Sequence, residues 1–162
     1  MSGDGVGRAK AAPGDVLRHP LIVGLLLLWA LNDHVFKAYF ANQWTGKISD
    51  FAGLAVFPLI PLSAYEISCA LLGREPRCRH WVLWLSLVGT GTFMVGINIS
   101  EAWANVYTQG LSLAQWPFRA VWGLIADGTI PERANLKVTM DPTDLWTLPA
   151  LSIAWWLGKS SA

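Results

Sequence analysis

Charged residues are scarce in this 162-residue chain. Asp, Glu, Lys and Arg make up 14% of it, against roughly 25% in soluble domains. Hydrophobic residues supply 53%, and the mean hydropathy is +0.38. A soluble core does not normally contain several long apolar runs in so short a chain. The composition therefore predicts an integral membrane protein.

Other features that the sequence lacks exclude further classes. A net charge of +1 excludes a polyanionic partner, so we expect no nucleic acid. Cys69 and Cys78 form no metal-binding spacing with each other and no disulfide framework. The segment from Gly46 to Ser49 lacks the upstream glycine of a phosphate loop, and no nucleophile elbow is visible. We therefore predict neither a cofactor nor a metal ion.

Four apolar segments predict an all-α membrane protein, a four-span transmembrane helical bundle with an interfacial helix between spans three and four. The spans fall at about 19–40, 50–72, 81–100 and 144–158. The first reaches spanning length only if the polar run that begins at Asn32 continues the helix. A cleaved signal peptide is the rival interpretation of this segment, but no small-x-small cleavage site follows it.

The remaining segments complete the predicted layout. Residues 1–17 are predicted to form a flexible tail, and residues 18–159 a single bundle. Pro58 and Pro61 predict a kink in the second span. Residues 101–126 predict one or two interfacial helices broken by Gly110 and Pro117, followed by an irregular loop. The fourth span is short and requires a thin or deformed bilayer.

Basic residues predict the orientation, because they favour the cytoplasmic side. They precede the first span, lie between spans two and three, and follow span four: Arg8, Lys10, Arg18, Arg74, Arg77, Arg79 and Lys159. We therefore predict an inner or plasma membrane protein with both termini in the cytoplasm. Many of the ten tryptophans fall near predicted span ends, as is typical of interfaces.

This topology gathers ionisable and amide side chains at the outer rim of the bundle, where such groups are costly and often functional. The candidate polar cluster consists of Asn32, Asp33, His34, Lys37, Lys47, Asp50, Glu101 and Asp144. Asp33 and Lys37 are spaced to pair along one helix face. His34 could meet Asp50, Glu101 or Asp144 across the bundle, as a metal ligand, a general base or simply a hydrogen-bonding partner.

Two segments resemble each other within the chain. Ser49-Asp50 and Thr143-Asp144 each place a hydroxyl and a carboxylate where an apolar helix is predicted to begin. Such side chains accept hydrogen bonds from the first backbone N–H groups of a helix and favour its dipole. The segments are either two ordinary helix caps or the trace of a two-helix repeat. The run from Thr45 to Gly53 is distinctive but indicates no activity.

These features predict a small multi-pass protein that serves as a structural or accessory subunit of a larger membrane assembly. Its partners would be the lipid bilayer and other membrane subunits. The alternative is a membrane enzyme or transporter that uses the polar cluster on the extracytoplasmic side. A channel ranks lower, because the inner halves of the spans offer few polar residues.

Overall fold

The computed structural model of the chain describes residues 12–40 and 43–160. Every regular element within these ranges is helical. Seven α-helices follow one another: α1 (Pro20–Leu31), α2 (Lys37–Tyr39), α3 (Gln43–Val56), α4 (Leu59–Leu71), α5 (Arg79–Ile99), α6 (Glu101–Ala126) and α7 (Leu151–Ser160). Short 3₁₀ segments cover Asp15–Arg18 and Pro142–Ala150, and a π-helical turn covers Asn32–Phe36.

The first predicted span is confirmed as one helical run, Pro20–Tyr39, which contains α1, the π turn and α2. Its start follows from local chemistry. Proline suits the first helical turn because it has no N–H to leave unpaired, and His19 Nδ1 accepts from the Leu21 N–H at 3.2 Å. The polar run that begins at Asn32 continues this helix as the π-helical turn Asn32–Phe36.

The second predicted span is helical, but it begins earlier than expected. Helix α3 starts at Gln43, roughly two turns before the predicted start at residue 50. The helix is interrupted between α3 and α4 by a turn at Phe57-Pro58, because a proline cannot donate the hydrogen bond that would continue it. The predicted kink is thus confirmed, within an apolar run of 28 residues, Trp44–Leu71.

Three helical runs in the described part of the chain are long and apolar enough to cross a membrane: Pro20–Tyr39, Trp44–Leu71 and Arg79–Ile99. The C-terminal segment is helical too, but it joins a 3₁₀ stretch of 9 residues to the 10-residue α7. Helix α6 spans Glu101–Ala126, the predicted range. It runs unbroken through Gly110 and Pro117, so the prediction that these residues interrupt it is wrong.

The chain forms two compact units. The first contains the residues up to Gly91 together with those from Thr147 onward. Its core consists of fully buried aliphatic side chains, Ile22, Leu59, Leu62 and Leu83. Helix α7 packs closely here, because a Cβ at Gly158 would lie 2.7 Å from Leu83 Cδ1. Trp29 and Phe57 join α1 to the break in the second span, with ring centroids 5.3 Å apart.

Part of the predicted flexible tail belongs to this unit. Val16 is 2% exposed, and the Gly14 N–H donates to Glu66 Oε2 at 2.9 Å. The tail prediction is therefore wrong for residues 12–17, which hold a buried hydrogen bond and an apolar anchor. Its residues 1–11 lie outside the described residues.

The second unit, Thr92–Trp146, contains the end of α5, helix α6 and the segment 127–141, which we call the strap. Helix α6 folds back against α5, and Phe93 contacts Tyr107 with centroids 5.4 Å apart. The strap then runs back along α6: Trp116 Nε1 donates to the Pro131 carbonyl at 3.2 Å and Ser112 Oγ to the Ala134 carbonyl at 2.7 Å. As predicted, the strap contains no helix or strand.

Candidate functional site

The centre of the candidate site is the π turn in the first span. Such turns widen the helix by one residue and frequently mark functional positions. Here the turn carries the amide and charged side chains that interrupt the leucine-rich sequence of α1. Asn32 is fully buried, whereas Asp33 and His34 are exposed.

Asn32 connects the π turn to the first half of α3. Its Nδ2 donates to the Thr45 carbonyl at 2.6 Å and to Ser49 Oγ at 2.7 Å. Ser49 Oγ in turn donates to Asp33 Oδ1 at 2.7 Å. Ser49 therefore accepts one bond and donates another, and two neighbouring residues of the π turn are held by a single hydroxyl. We call Asn32, Asp33, Thr45 and Ser49 the amide network.

The amide network is closed by a charge pair on its exposed side. Lys37 Nζ lies 2.7 Å from Asp33 Oδ1, and the two side chains are 42% and 37% exposed. The spacing predicted this pair. Because it neutralises Asp33 locally, the network adds no net charge to the first span.

One atom of the network stays unsatisfied. Asn32 Oδ1 is buried and has no hydrogen-bond partner among the described residues. A buried carbonyl oxygen without a donor costs about 1–3 kcal/mol, so this atom is suited to a ligand or water that can donate a hydrogen bond.

The structure places three further predicted site residues beside this network. His34 is exposed on the π turn, and Lys47 and Asp50 are half-buried on α3. The links to α3 thus come from Asn32 and Asp33, not from His34, which was the predicted cross-helix partner. Asp50 lies in the middle of α3, so the prediction that it caps a helix N-terminus is wrong. The reason is that α3 begins at Gln43, so Ser49 and Asp50 lie inside the helix, where Ser49 bonds Asn32 and Asp33.

Glu101 and Asp144 belong to the second unit. Glu101 is exposed in the first turn of α6, and Asp144 lies in the first turn of the 3₁₀ segment Pro142–Ala150. The cap of that segment is Asp141, whose Oδ1 accepts from the Thr143 N–H at 2.9 Å and from Thr143 Oγ1 at 2.7 Å. Asp144 therefore lies at the N-terminus of a helical segment, as predicted, and Asp141 accepts the backbone hydrogen bond just ahead of it.

Asn98 fixes the position of this cap within the second unit. It is 4% exposed, and its Oδ1 accepts from the Asp141 N–H at 3.2 Å. Its Nδ2 donates back to the Met94 carbonyl at 3.0 Å. The residue therefore anchors the end of the strap to the last turns of α5.

A second polar centre was missed by the sequence reasoning. Glu66 lies on α4 and is 7% exposed. Its Oε1 lies 2.5 Å from Arg79 Nε at the start of α5, while its Oε2 accepts from the Gly14 N–H. The sequence does contain a signal for this centre. A lone carboxylate lies in an apolar span, and an arginine follows at the start of the next span. This pattern predicts a buried pair, because an unpaired charge at that depth is costly.

No group of three His, Cys, Asp or Glu side chains in residues 12–40 and 43–160 is arranged to hold a metal ion. The amide network offers a relay of hydrogen bonds between two helices, with one acceptor left open. Comparison of the chain with protein-family models, with curated proteins and with solved structures finds no match.

Proposed function

We propose that the chain is a four-span accessory subunit of a larger membrane assembly, with both termini in the cytoplasm and α6 lying in the outer interface. The observation that carries this proposal is how little of its spans the chain covers. We compare the buried share of the most apolar 18-residue window in each helical run. It is 17% in Pro20–Tyr39, 28% in Arg79–Ile99 and 50% in Trp44–Leu71. The second span is the most buried of the three, and the first and third leave most of their surface uncovered.

The uncovered surfaces contain sites where another helix can approach closely. A Cβ added at Gly24 on α1 or at Gly89 on α5 would meet no atom within 4 Å. In membranes, small residues at an open helix face favour association, because backbones can pack without intervening side chains. Lipid would fill such notches less well than a partner helix, so these two positions favour partner subunits.

The length of the C-terminal segment supports a fourth span. Its 3₁₀ stretch has 9 residues and α7 has 10. A 3₁₀ helix rises about 2.0 Å per residue and an α-helix about 1.5 Å, so the summed lengths of the two elements are about 33 Å. That length matches a hydrocarbon core of about 30 Å, without the bilayer thinning that an all-α segment would need.

The strap supports an interfacial position for α6. A segment without regular secondary structure leaves backbone groups that need water, and such segments do not occur facing lipid in the hydrocarbon region. Because the strap lies along α6 from Gly123 back to Ser112, the helix shares its environment. Arg74 and Arg77 are exposed between α4 and α5, which favours a cytoplasmic position for that loop.

The test is co-purification in mild detergent with measured stoichiometry. We expect Gly24→Leu or Gly89→Leu to remove a stoichiometric partner subunit, because leucine fills the notch. Val23→Leu and Val88→Leu are matched controls, since they enlarge exposed neighbours on the same helices and should retain the partner. A wild-type chain without a stoichiometric partner, or equal behaviour of all four variants, would contradict the proposal.

A second candidate function is supported by the open acceptor of the amide network. A membrane enzyme or transporter would use Asn32 Oδ1 to bind a donor group of its substrate. Asn32→Leu or Ser49→Ala would then abolish complementation of a deletion strain while the partner subunit still co-purifies. If the variants lose the partner subunit as well as complementation, the amide network serves assembly instead.

A further inference from the structure

The second unit contains a cleft of about 500 Å³ where the strap begins. One wall is the last part of α6, and the other is the start of the strap, which turns at Gly128 with φ of 67°. The cleft can form because α6 carries glycine at 123, where a Cβ would lie 2.7 Å from the Thr129 carbonyl oxygen. Its lining is Phe118, Arg119, Trp122, Gly123, Asp127, Thr129 and Pro131.

The cleft borders an apolar stripe on α6. Phe118, Val121, Trp122 and Ile125 are spaced i, i+3, i+4 and i+7, so they share one helix face. They are 79%, 58%, 72% and 73% exposed. Four large apolar side chains left open on one face indicate a surface that lies against lipid acyl chains. Arg119 lines the cleft together with Phe118 and Trp122 of this stripe.

The polar groups of the cleft carry both signs of charge. Arg119 offers a guanidinium, which matches phosphate oxygens in a bidentate geometry. Asp127, at the C-terminal end of α6, offers a carboxylate that suits an ammonium group. Trp122 adds an aromatic face that attracts a cation. Phosphate and primary ammonium occur together in the headgroup of phosphatidylethanolamine.

We infer that this cleft binds the headgroup of a phosphatidylethanolamine-type phospholipid, with phosphate on Arg119 and ammonium on Asp127. The acyl chains lie along the stripe of Phe118, Val121, Trp122 and Ile125. An anionic lipid without an amine would place its headgroup against Asp127 and lose that contact. The inference rests on the proposed interfacial position of α6 and adds a specific lipid to it.

Native mass spectrometry of the detergent-purified full chain, titrated with phosphatidylethanolamine or phosphatidylglycerol, tests this site. We expect a preference for phosphatidylethanolamine of about tenfold, the ratio that one additional contact of about 1.4 kcal/mol supplies. Asp127→Asn should remove the preference, and Arg119→Gln should weaken binding of both lipids. Arg133→Gln is the matched control, because Arg133 is an exposed arginine of the strap that lines a different cavity.

A second measurement separates failure of the cleft from failure of the interfacial helix. In vesicles of phosphatidylethanolamine and phosphatidylglycerol with brominated acyl chains, Trp122→Phe should reduce the quenched part of the tryptophan emission. Quenching of Trp122 without headgroup preference, or a preference that survives Asp127→Asn, would overturn the lipid site while α6 remains interfacial. Absence of Trp122 quenching would overturn both.

Discussion

Asn32 shows how a single buried amide can join two membrane helices. It lies on a helix whose other large side chains are mainly leucine, yet it is fully buried and donates two hydrogen bonds to α3. In hydrocarbon, each polar group that lacks a hydrogen-bond partner is costly, so the two donated bonds favour one arrangement of the helices. Its pairing with Thr45 and Ser49 therefore fixes the rotation of the first span relative to the second.

We expect Asn32→Ala to lower the free energy of unfolding by about 1–3 kcal/mol, because a buried network loses its donor. Lys37→Met is the control from the same turn. It removes a pair that is about 40% exposed, so the loss should stay below about 1 kcal/mol. Unfolding in mixed detergent micelles, followed by circular dichroism, measures both. Equal losses would show that burial of Asn32 contributes nothing beyond the surface pair.

At the level of the helices, close approach depends on glycine at particular positions. A Cβ at Gly96 would lie 2.5 Å from Trp103 Cε3 and 2.6 Å from Cδ2. An indole ring cannot yield as the end of a flexible side chain can, so the turn between α5 and α6 requires glycine there. Gly89, earlier on the same helix, meets no atom within 4 Å.

Gly96→Ala should therefore reduce stability by about 1–3 kcal/mol through overpacking. Gly89→Ala should leave stability unchanged or raise it by up to about 1 kcal/mol, because alanine is the better helix former. The comparison uses the thermal unfolding midpoint of the purified chain in one detergent. A destabilisation by Gly89→Ala as large as that by Gly96→Ala would contradict the packing described for Trp103.

The bounds of the helices show what local sequence can predict. Hydrophobic runs located the first span, the third span and α6, because an apolar segment of that length has few alternatives. The start of α3 could not be located in this way. Lys47, Ser49 and Asp50 have the composition of a helix boundary in water, but Ser49 bonds Asn32 and Asp33 of another helix. Tertiary pairing of this kind leaves no periodic signal in the chain.

Only part of the candidate site could be predicted, because most of its contacts also join different helices. The Asp33–Lys37 pair follows from spacing alone. The Glu66–Arg79 pair connects two helices across a loop, so only the cost of a lone buried carboxylate pointed to it. The orphan oxygen of Asn32 depends on side-chain rotation and has no counterpart in the sequence.

For the whole molecule, the proposed orientation can be tested with the native cysteines. Cys78 is exposed in the basic loop between α4 and α5, and Cys69 is buried. An impermeant maleimide should label Cys78 only in inverted vesicles or opened cells, since we propose that the loop is cytoplasmic. Thr129→Cys in a Cys78→Ser background should be labelled in intact cells. Labelling of Cys78 from outside, with Thr129→Cys protected, would reverse the topology.

The Glu66 carboxylate has a consequence for how the chain enters the membrane. Its partner Arg79 is 13 residues away, whereas Gly14 is 52 residues away. The ion pair closes a short loop, so forming it costs less chain entropy than the contact with Gly14 does. In the proposed topology, we therefore expect Arg79 to neutralise Glu66 as soon as spans two and three form a hairpin, before Gly14 packs against it.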